Sequence, residues 1–198
     1  MSATIIDDIK AVRKNDPAAK NIFETLLCHT PLHAILVHRF SHFLHERLHI
    51  PVLPRFISAL ARWWTGVEIH PGAKIGHGFF IDHGTGVVIG ETAEVGDNCV
   101  FFHGVTLGGT GHYHQKRHPT VGDNVLIGAN ATLLGPIIVG SNCRIGATSV
   151  IINRDVPENC TVVGAPGRIV KRGDRHTNEP LPLAHYKPQD GSNIEFVI

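Results

Sequence analysis

The sequence is poor in charge, and what charge it carries nearly cancels. Eighteen lysines and arginines oppose 17 aspartates and glutamates, a formal net charge of +1. A nucleic-acid binder driven by bulk electrostatics is disfavoured on that count. Charged residues make up 18% of the chain, below the ~25% of an ordinary soluble domain. Hydrophobic residues nevertheless reach 42%, with mean hydropathy +0.04, which is not the composition of a disordered chain. There are only four cysteines (Cys28, Cys99, Cys143 and Cys160), and they form no CxxC or zinc-finger spacing. Neither a secreted disulfide framework nor a structural zinc site is favoured. Long apolar runs are missing as well: histidine or arginine interrupts each of them, so no membrane span is expected. Asp7, Asp8 and Lys10 break the stretch where a secretory signal would need apolar residues. The expected location is cytoplasmic.

What the chain has in excess is glycine and histidine, 21 and 15 of 198 residues. The glycine share is about 11%, against ~7% in ordinary proteins. The length suffices for a real core.

Residues 1–65 read as helical. A first helix starts at Ser2 or Thr4 and runs through Arg13. Asn15-Asp16-Pro17 reads as a cap for a second, from about Ala18 to Leu27. Pro31 opens a third, in which Leu32, Ile35, Leu36, Phe40, Phe43 and Leu44 recur at helical spacing. His38, His42 and His45 repeat at the same spacing and are expected on a solvated or half-buried face, since a helical metal site would usually carry carboxylates too. Residues 53–65 suggest a short fourth helix ending at Gly66.

From Gly66 onward the period becomes six. Aliphatic or aromatic residues stand at Ile69, Ile75 and Ile81, slip by two, and resume at Ile89, Val95, Phe101 and Leu107. They resume again at Val121, Ile127, Leu133, Val139, Ile145 and Ile151, and the frame reaches Val163. Glycine often follows directly, as at Gly76, Gly90, Gly96, Gly122, Gly128, Gly140 and Gly146. Small or aliphatic residues such as Ala73, Ala93, Cys99, Ala131, Cys143 and Ser149 fill the positions between. Three such repeats complete one coil of about 18 residues, each face contributing an inward aliphatic that stacks on its equivalent a coil away. The expected fold is a parallel β-helix of about five coils over residues 66–170. The repeat glycines are expected at the corners, where they relax the backbone. Cys99 and Cys143 fall in frame and read as packing rather than nucleophiles.

Two places break the rhythm. His83-Gly84-Thr85-Gly86 adds two residues after Ile81. The step from Leu107 to Val121 is two positions longer than a pair of repeats, and it runs through the loop 108–120, GGTGHYHQKRHP plus its flank. Interruptions on a solenoid commonly carry the site. His83, beside Asp82, is a candidate general base. Glu68 lies upstream of it by close to one coil, where a carboxylate can orient the imidazole. Arg117 offers a planar fork for a carboxylate, and Asp82 suits an ammonium group. Gly108, Gly109 and Gly111 permit close backbone approach, and their N–H groups can stabilise an oxyanion. Arg144, Arg168, Lys171 and Arg172 are weaker candidates for phosphate contacts, because such a run usually marks a solvated exit. No dinucleotide or P-loop fingerprint is present.

The hexapeptide pattern resembles the left-handed β-helix acyltransferases. The string EIHPGAKIGHGFFIDHGTGVVIGETAEVGDN, followed by GVTLGGTG and KRHPTVGDNVLIGANA, is similar to the serine O-acetyltransferase family. The likeness extends from DDIKAVRKNDPA to APGRIVK. It implies an N-terminal α-helical region, a left-handed parallel β-helix with a protruding loop, and an extended C-terminal tail over 171–198. It implies acetyl transfer from acetyl-CoA, as co-substrate, to L-serine in cysteine biosynthesis, with no prosthetic group or metal. His83 would be the base, Glu68 its orienting partner, and Asp16, Asp82, Arg117 and His118 would bind serine. Gly109 and Ala129 would give backbone contacts to CoA. The resemblance further implies a homotrimer with sites between subunits, and leaves open a hexamer like that of longer members, whose extended helical region pairs two trimers. L-Cysteine would be a feedback inhibitor, and the C-terminal Ile198, with Glu195 and Val197, would dock into O-acetylserine sulfhydrylase. After Val170 the frame is lost, and a mobile tail is expected.

Other readings of the residues are an acyltransferase with a different donor or acceptor, such as succinyl-CoA, a sugar or an antibiotic, and a metal-binding β-helix hydratase using His103, His112, His114 and His118. Their spacing does not repeat one ligand on adjacent coils. A passive scaffold would have no need for His, Asp and Arg clustered at both interruptions.

Overall fold

A computed structural model describes residues 2–111 and 114–185. Four helices precede the solenoid: α1 (Ser2–Asn15), α2 (Ile22–Cys28), α3 (Thr30–Glu46) and α4 (Leu53–Thr65). Gly66 ends α4 in the left-handed conformation, φ +73°, and its N–H closes on the Arg62 carbonyl. The second helix starts later than the sequence suggests. Asp16 Oδ1 accepts the Ala18 N–H at 2.8 Å, a local turn that competes with helix formation. Asn21 is the cap instead, its Oδ1 accepting the N–H groups of Phe23 and Glu24.

α3 packs against α4 and the first coil, with α1 alongside. The histidine stripe on α3 divides accordingly. His42 is half-buried and 2.7 Å from the Pro71 carbonyl. His38 is fully enclosed, with neither ring nitrogen partnered among the described residues; it is not on a solvated or half-buried face, because α3 is covered on both sides.

The solenoid has three parallel faces. The first stacks Glu68–Ile69, Val88–Ile89, Thr106–Gly108, Thr132–Leu134 and Val150–Ile152. The second stacks Lys74–Ile75, Glu94–Val95, Thr120–Val121 and Ile138–Val139, and the third Phe80–Asp82, Val100–Phe102, Leu126–Ile127, Arg144–Ile145 and Cys160–Val163. In register, Ile69 lies on Ile89, Ile89 on Leu107, Leu107 on Leu133 and Leu133 on Ile151. These columns form one core with the intervening Ala73, Ala93, Cys99, Ala131 and Cys143. Each fully buried aliphatic contributes about 1.5–3 kcal/mol. Burial pushes the Cys99 and Cys143 thiols up to about 11, in keeping with packing rather than reactivity.

The repeat glycines have a different job from relaxing the corners. At Gly76 a Cβ would sit 2.6 Å from the Gly96 carbonyl carbon of the next coil, with no positive φ. Close approach of backbone to backbone demands glycine there. Left-handed turn positions are shared between asparagine and other glycines: Asn98, Asn124, Asn142 and Asn159 all have φ between +55° and +60°, and Gly78 and Gly104 have +64° and +68°. The frame also slips near its end. Val162 pairs with Ile145 and is buried, whereas Val163 is 40% exposed; Val156, five residues after Ile151, takes the preceding inward place.

The larger interruption is longer than it looks in the sequence. Thr106–Gly108 and Thr120–Val121 are consecutive faces of one coil. The stretch from Leu107 to Val121 therefore replaces one six-residue step, not two, and more than half of it leaves the coil. Nor is the exit from the solenoid loose: Arg168–Arg172 and Arg175–Pro180 form an antiparallel hairpin on the third face, and Leu181 is buried. Arg168 bonds Asn178, Arg172 pairs with Glu179 and Lys171 with Asp174. Backbone pairing and a buried Leu181 thus hold the stretch as far as residue 181; Glu195, Val197 and Ile198 lie outside the described residues.

Candidate active site

The candidate residues gather at two different corners of the triangular solenoid. His83 lies on the corner between the third and first faces. Its backbone is left-handed, φ +63°, and Gly84 and Gly86 follow at +73° and +79°; this turn is how the chain absorbs two extra residues. The turn sits directly over Gly66–Val67, since Gly86 N–H donates to the Gly66 carbonyl at 2.9 Å. The His83 side chain is 79% exposed and its Nε2 is 3.8 Å from Asp82 Oδ1. A cleft of about 460 Å³ opens here between the solenoid and the helical region. Asp16, Cys28, His29, Asp82 and His83 line it, so the structure brings Asp16, Asp82 and His83 together as the sequence suggests. Glu68 is beside the turn, but its carboxylate pairs with Arg62 Nη1 at 2.8 Å.

The same corner continues up the solenoid. Gly104 N–H bonds the Thr85 carbonyl, Asn130 N–H that of His103, and Thr148 N–H that of Ala129. His83, His103 and Ala129 therefore follow one another on successive coils, with the His83 and His103 rings edge-on at 6.3 Å. At ~4.8 Å per coil, Ala129 stands roughly 10 Å along the corner from His83.

Arg117 and His118 occupy the next corner, between the first and second faces. Thr92 fixes them there. Its Oγ1 accepts the N–H groups of both Arg117 and His118, and its carbonyl accepts from Lys116 Nζ at 2.7 Å. The Thr92 N–H donates to His118 Nδ1 at 3.2 Å, with Thr92 Oγ1 2.9 Å away. Accepting at Nδ1 leaves the neutral imidazole's proton on Nε2. The His118 ring fills the space above Gly90, where a Cβ would lie 2.1 Å from Nε2. Arg117 Nη2 donates to Glu91, while Nη1 is buried without a partner among the described residues. Gly109 is in the same place: a Cβ on it would meet Arg117 Cγ at 3.2 Å. Gly108 lies under Leu134, 2.6 Å from its Cδ2 on the same measure. Thr92, Glu91 and His29 carry no signal in the sequence. The partners of Thr92 are far from it along the chain, more than a full coil away, so only the coil stacking reveals them.

Burial pushes His70 and His118 down to about 4, Arg55 and Arg117 respectively adding to the effect. Both are ordinary imidazoles of higher affinity for protons once unfolded. The unfolded chain therefore binds more protons below pH ~6.5, and stability falls as pH drops from there toward 4. His70→Gln should lessen that loss, seen as a smaller fall in melting temperature between pH 7 and pH 5 than in the wild type.

No helix among the described residues is long and apolar enough to cross a membrane, and no three His, Cys, Asp or Glu side chains among them are grouped to hold a metal. Residues 118–153 match the family "Bacterial transferase hexapeptide (six repeats)", so fold and sequence together define a hexapeptide-repeat transferase. The chain is 52% identical over 190 residues to a serine acetyltransferase of Synechococcus elongatus, covering 96% of this chain and 76% of that protein. The structure of a Brucella abortus serine acetyltransferase in complex with coenzyme A superimposes with TM-score 0.82 at 40% identity, over 89% of this chain and 69% of that one. A Neisseria gonorrhoeae serine acetyltransferase in complex with serine gives TM-score 0.79 at 44% identity, over 84% and 68%. The chain belongs to the serine acetyltransferase family, and its coils wind left-handed.

Proposed function

We propose that this enzyme transfers the acetyl group of acetyl-CoA to the hydroxyl of L-serine, giving O-acetylserine and CoA, in a site built between two copies of the chain. One observation carries the intersubunit reading: the cleft with Asp16, Asp82 and His83 is on one corner of the solenoid, and Arg117 with His118 is on another. A single copy cannot close both halves around one small amino acid. A ring of three copies, each presenting one corner to its neighbour's other corner, does so three times over. Asp16 and Asp82 then hold the substrate ammonium group, and the guanidinium of the neighbour's Arg117 takes the carboxylate. His118, held neutral with its proton on Nε2, is a donor beside it.

The His83 imidazole removes the hydroxyl proton as the serine oxygen attacks the thioester carbon. Backbone N–H groups around Gly108 and Gly109 stabilise the negative oxygen. The tetrahedral intermediate collapses, the C–S bond breaks, and imidazolium returns the proton to the CoA sulfur. Glu68 is the proposed orienting carboxylate; it lies under the His83 turn and would exchange Arg62 for the imidazole when substrates bind. The CoA arm would follow the corner past His103 to Ala129. Positioning both substrates supplies a large part of the acceleration. CoA release measured with L-serine and acetyl-CoA, with O-acetylserine detected as product, tests the whole reading. Faster turnover with succinyl-CoA or with a sugar acceptor would replace it.

L-Cysteine, with a thiol in place of the hydroxyl, suits the same cleft and would compete with serine as a feedback inhibitor. Assembly beyond the trimer has support from α2 and α4, which leave Phe23, Leu27, Phe56, Leu60, Trp63 and Trp64 exposed. Arg117→Lys keeps the charge and loses the fork. It should raise the KM for serine more than that for acetyl-CoA; a selective effect on acetyl-CoA would move Arg117 to the CoA phosphates. Ile198 is the proposed contact, through its apolar side chain, with O-acetylserine sulfhydrylase. Deleting Ile198 should abolish that binding in calorimetry and leave acetyl transfer nearly unchanged.

A further inference from the structure

The acceptor cleft holds one side chain that no sequence motif marks. His29 connects α2 to α3 and caps α3: its Nδ1 accepts the Leu32 N–H at 3.1 Å. A neutral imidazole that accepts at Nδ1 carries its proton on Nε2. The half-buried ring rests against Phe80, with centroids 5.8 Å apart, and no hydrogen bond engages Nε2 among the described residues. Burial holds the imidazole below its usual range, with the nearby His33 acting in the same direction, while Asp16 and Asp82 pull the other way. Near neutral pH His29 is an uncharged N–H donor with its tautomer fixed by the helix cap.

The cleft around it is otherwise acidic. Asp16 enters from the α1–α2 connection and Asp82 from the third face, with His83 and Cys28 on the rim. An amino acid fits its ammonium group to those carboxylates easily, but its own carboxylate is repelled by them. His29 supplies the missing donor on this side of the site. We propose that His29 is a specificity residue for the acceptor, donating its Nε2–H to the carboxylate of the bound amino acid and complementing the neighbouring copy's Arg117. This rests on the cleft being the acceptor site of the acetyl transfer. An alcohol without a carboxylate leaves the donor unpaired, which is how a polar pocket rejects a truncated substrate.

Two substitutions separate the capping role from the substrate role. His29→Ser keeps a side-chain acceptor for the α3 cap and removes the ring donor; His29→Phe keeps the ring against Phe80 and removes both. Each variant should raise the KM for L-serine about tenfold or more, as expected for a lost hydrogen bond to a charged group. The KM for acetyl-CoA should stay at the wild-type value, and His29→Ser should melt with the wild type. With L-serinamide, whose carboxylate is replaced by a neutral amide, His29→Ser should differ from the wild type much less. An unchanged serine KM in both variants overturns the proposal. So does an equal rise for both substrates, or an undiminished loss with serinamide. A wild-type enzyme inert toward L-serine overturns the acceptor reading and this proposal together, and is recognised before any variant is made.

Discussion

Replacing His83 with asparagine should cut turnover by ~10²–10⁴, the usual contribution of a general base, with the fold left intact. The side chain is 79% exposed, so no core volume is lost. The backbone at His83 is left-handed, a conformation asparagine adopts readily and alanine resists. His83→Asn therefore removes the base without adding strain, and His83→Ala would confuse the two effects. Turnover at saturating serine and acetyl-CoA, together with the melting temperature, checks both halves of the expectation. Near-wild-type turnover would mean that the proton leaves by another group, and His103, edge-on to the same ring, would be the next to substitute. Glu68→Gln should lose less than His83→Asn, since it keeps the size of a side chain whose charge partner among the described residues is the exposed Arg62.

The six-residue period is legible because each face is one short strand with one inward residue, and sequence distance maps almost directly onto stacking. Ile69, Ile89, Leu107, Leu133 and Ile151 form a column for that reason. The mapping fails wherever the chain departs from the coil. Counting from Leu107 to Val121 as two slightly long repeats is natural, because nothing in GGTGHYHQKRHP states that both ends belong to one coil. Only the pairing of Thr120–Val121 with the second face reveals it. The end of the frame at Val162 rather than Val163 is a one-residue slip, which reverses the face of every side chain it touches.

The site is legible in part, and the division has a physical cause. Asp82 and His83 are marked by the interruption itself, and Arg117 with His118 by the loop. Either count keeps Arg117 and His118 off the His83 corner, but only the corrected one places them between the first and second faces. His29 and Thr92 are not legible, since each acts through backbone partners. A histidine before Thr30-Pro31 looks like an incidental start to a helix, yet its Nδ1 is the cap. Asp8 and Arg39 are equally silent in the sequence, far apart along the chain and on different helices.

That last pair sets the other large effect. Asp8 is fully buried on α1, and the Arg39 guanidinium from α3 bonds both of its oxygens, at 3.1 and 3.2 Å. The same guanidinium donates to the carbonyls of Ile75 and Gly76 in the first coil. Asp8 also accepts the Phe79 N–H at 3.2 Å. One ion pair thus ties two helices to the solenoid, and α1 ends immediately before Asp16. Arg39→Ala leaves the Asp8 carboxylate buried without its cation and two carbonyls without a donor. Breaking a buried pair in this way costs about 3–5 kcal/mol. The solenoid core is a separate cluster from the small one that α1 shares with Leu32 and Phe80. The loss should therefore fall on the docking of α1, leaving the coils folded. Thermal melting should shift down by roughly 6–20 °C, at ~2–4 °C per kcal/mol for a chain of this size, and limited proteolysis should cut first near the α1–α2 connection. With α1 loosened, Asp16 no longer holds its place in the cleft, so the KM for serine should rise while that for acetyl-CoA stays put. Arg39→Lys keeps the charge without the fork and should fall between the two. A variant Arg39→Ala that melts with the wild type and keeps its serine KM would show that α1 is held by its apolar contacts alone.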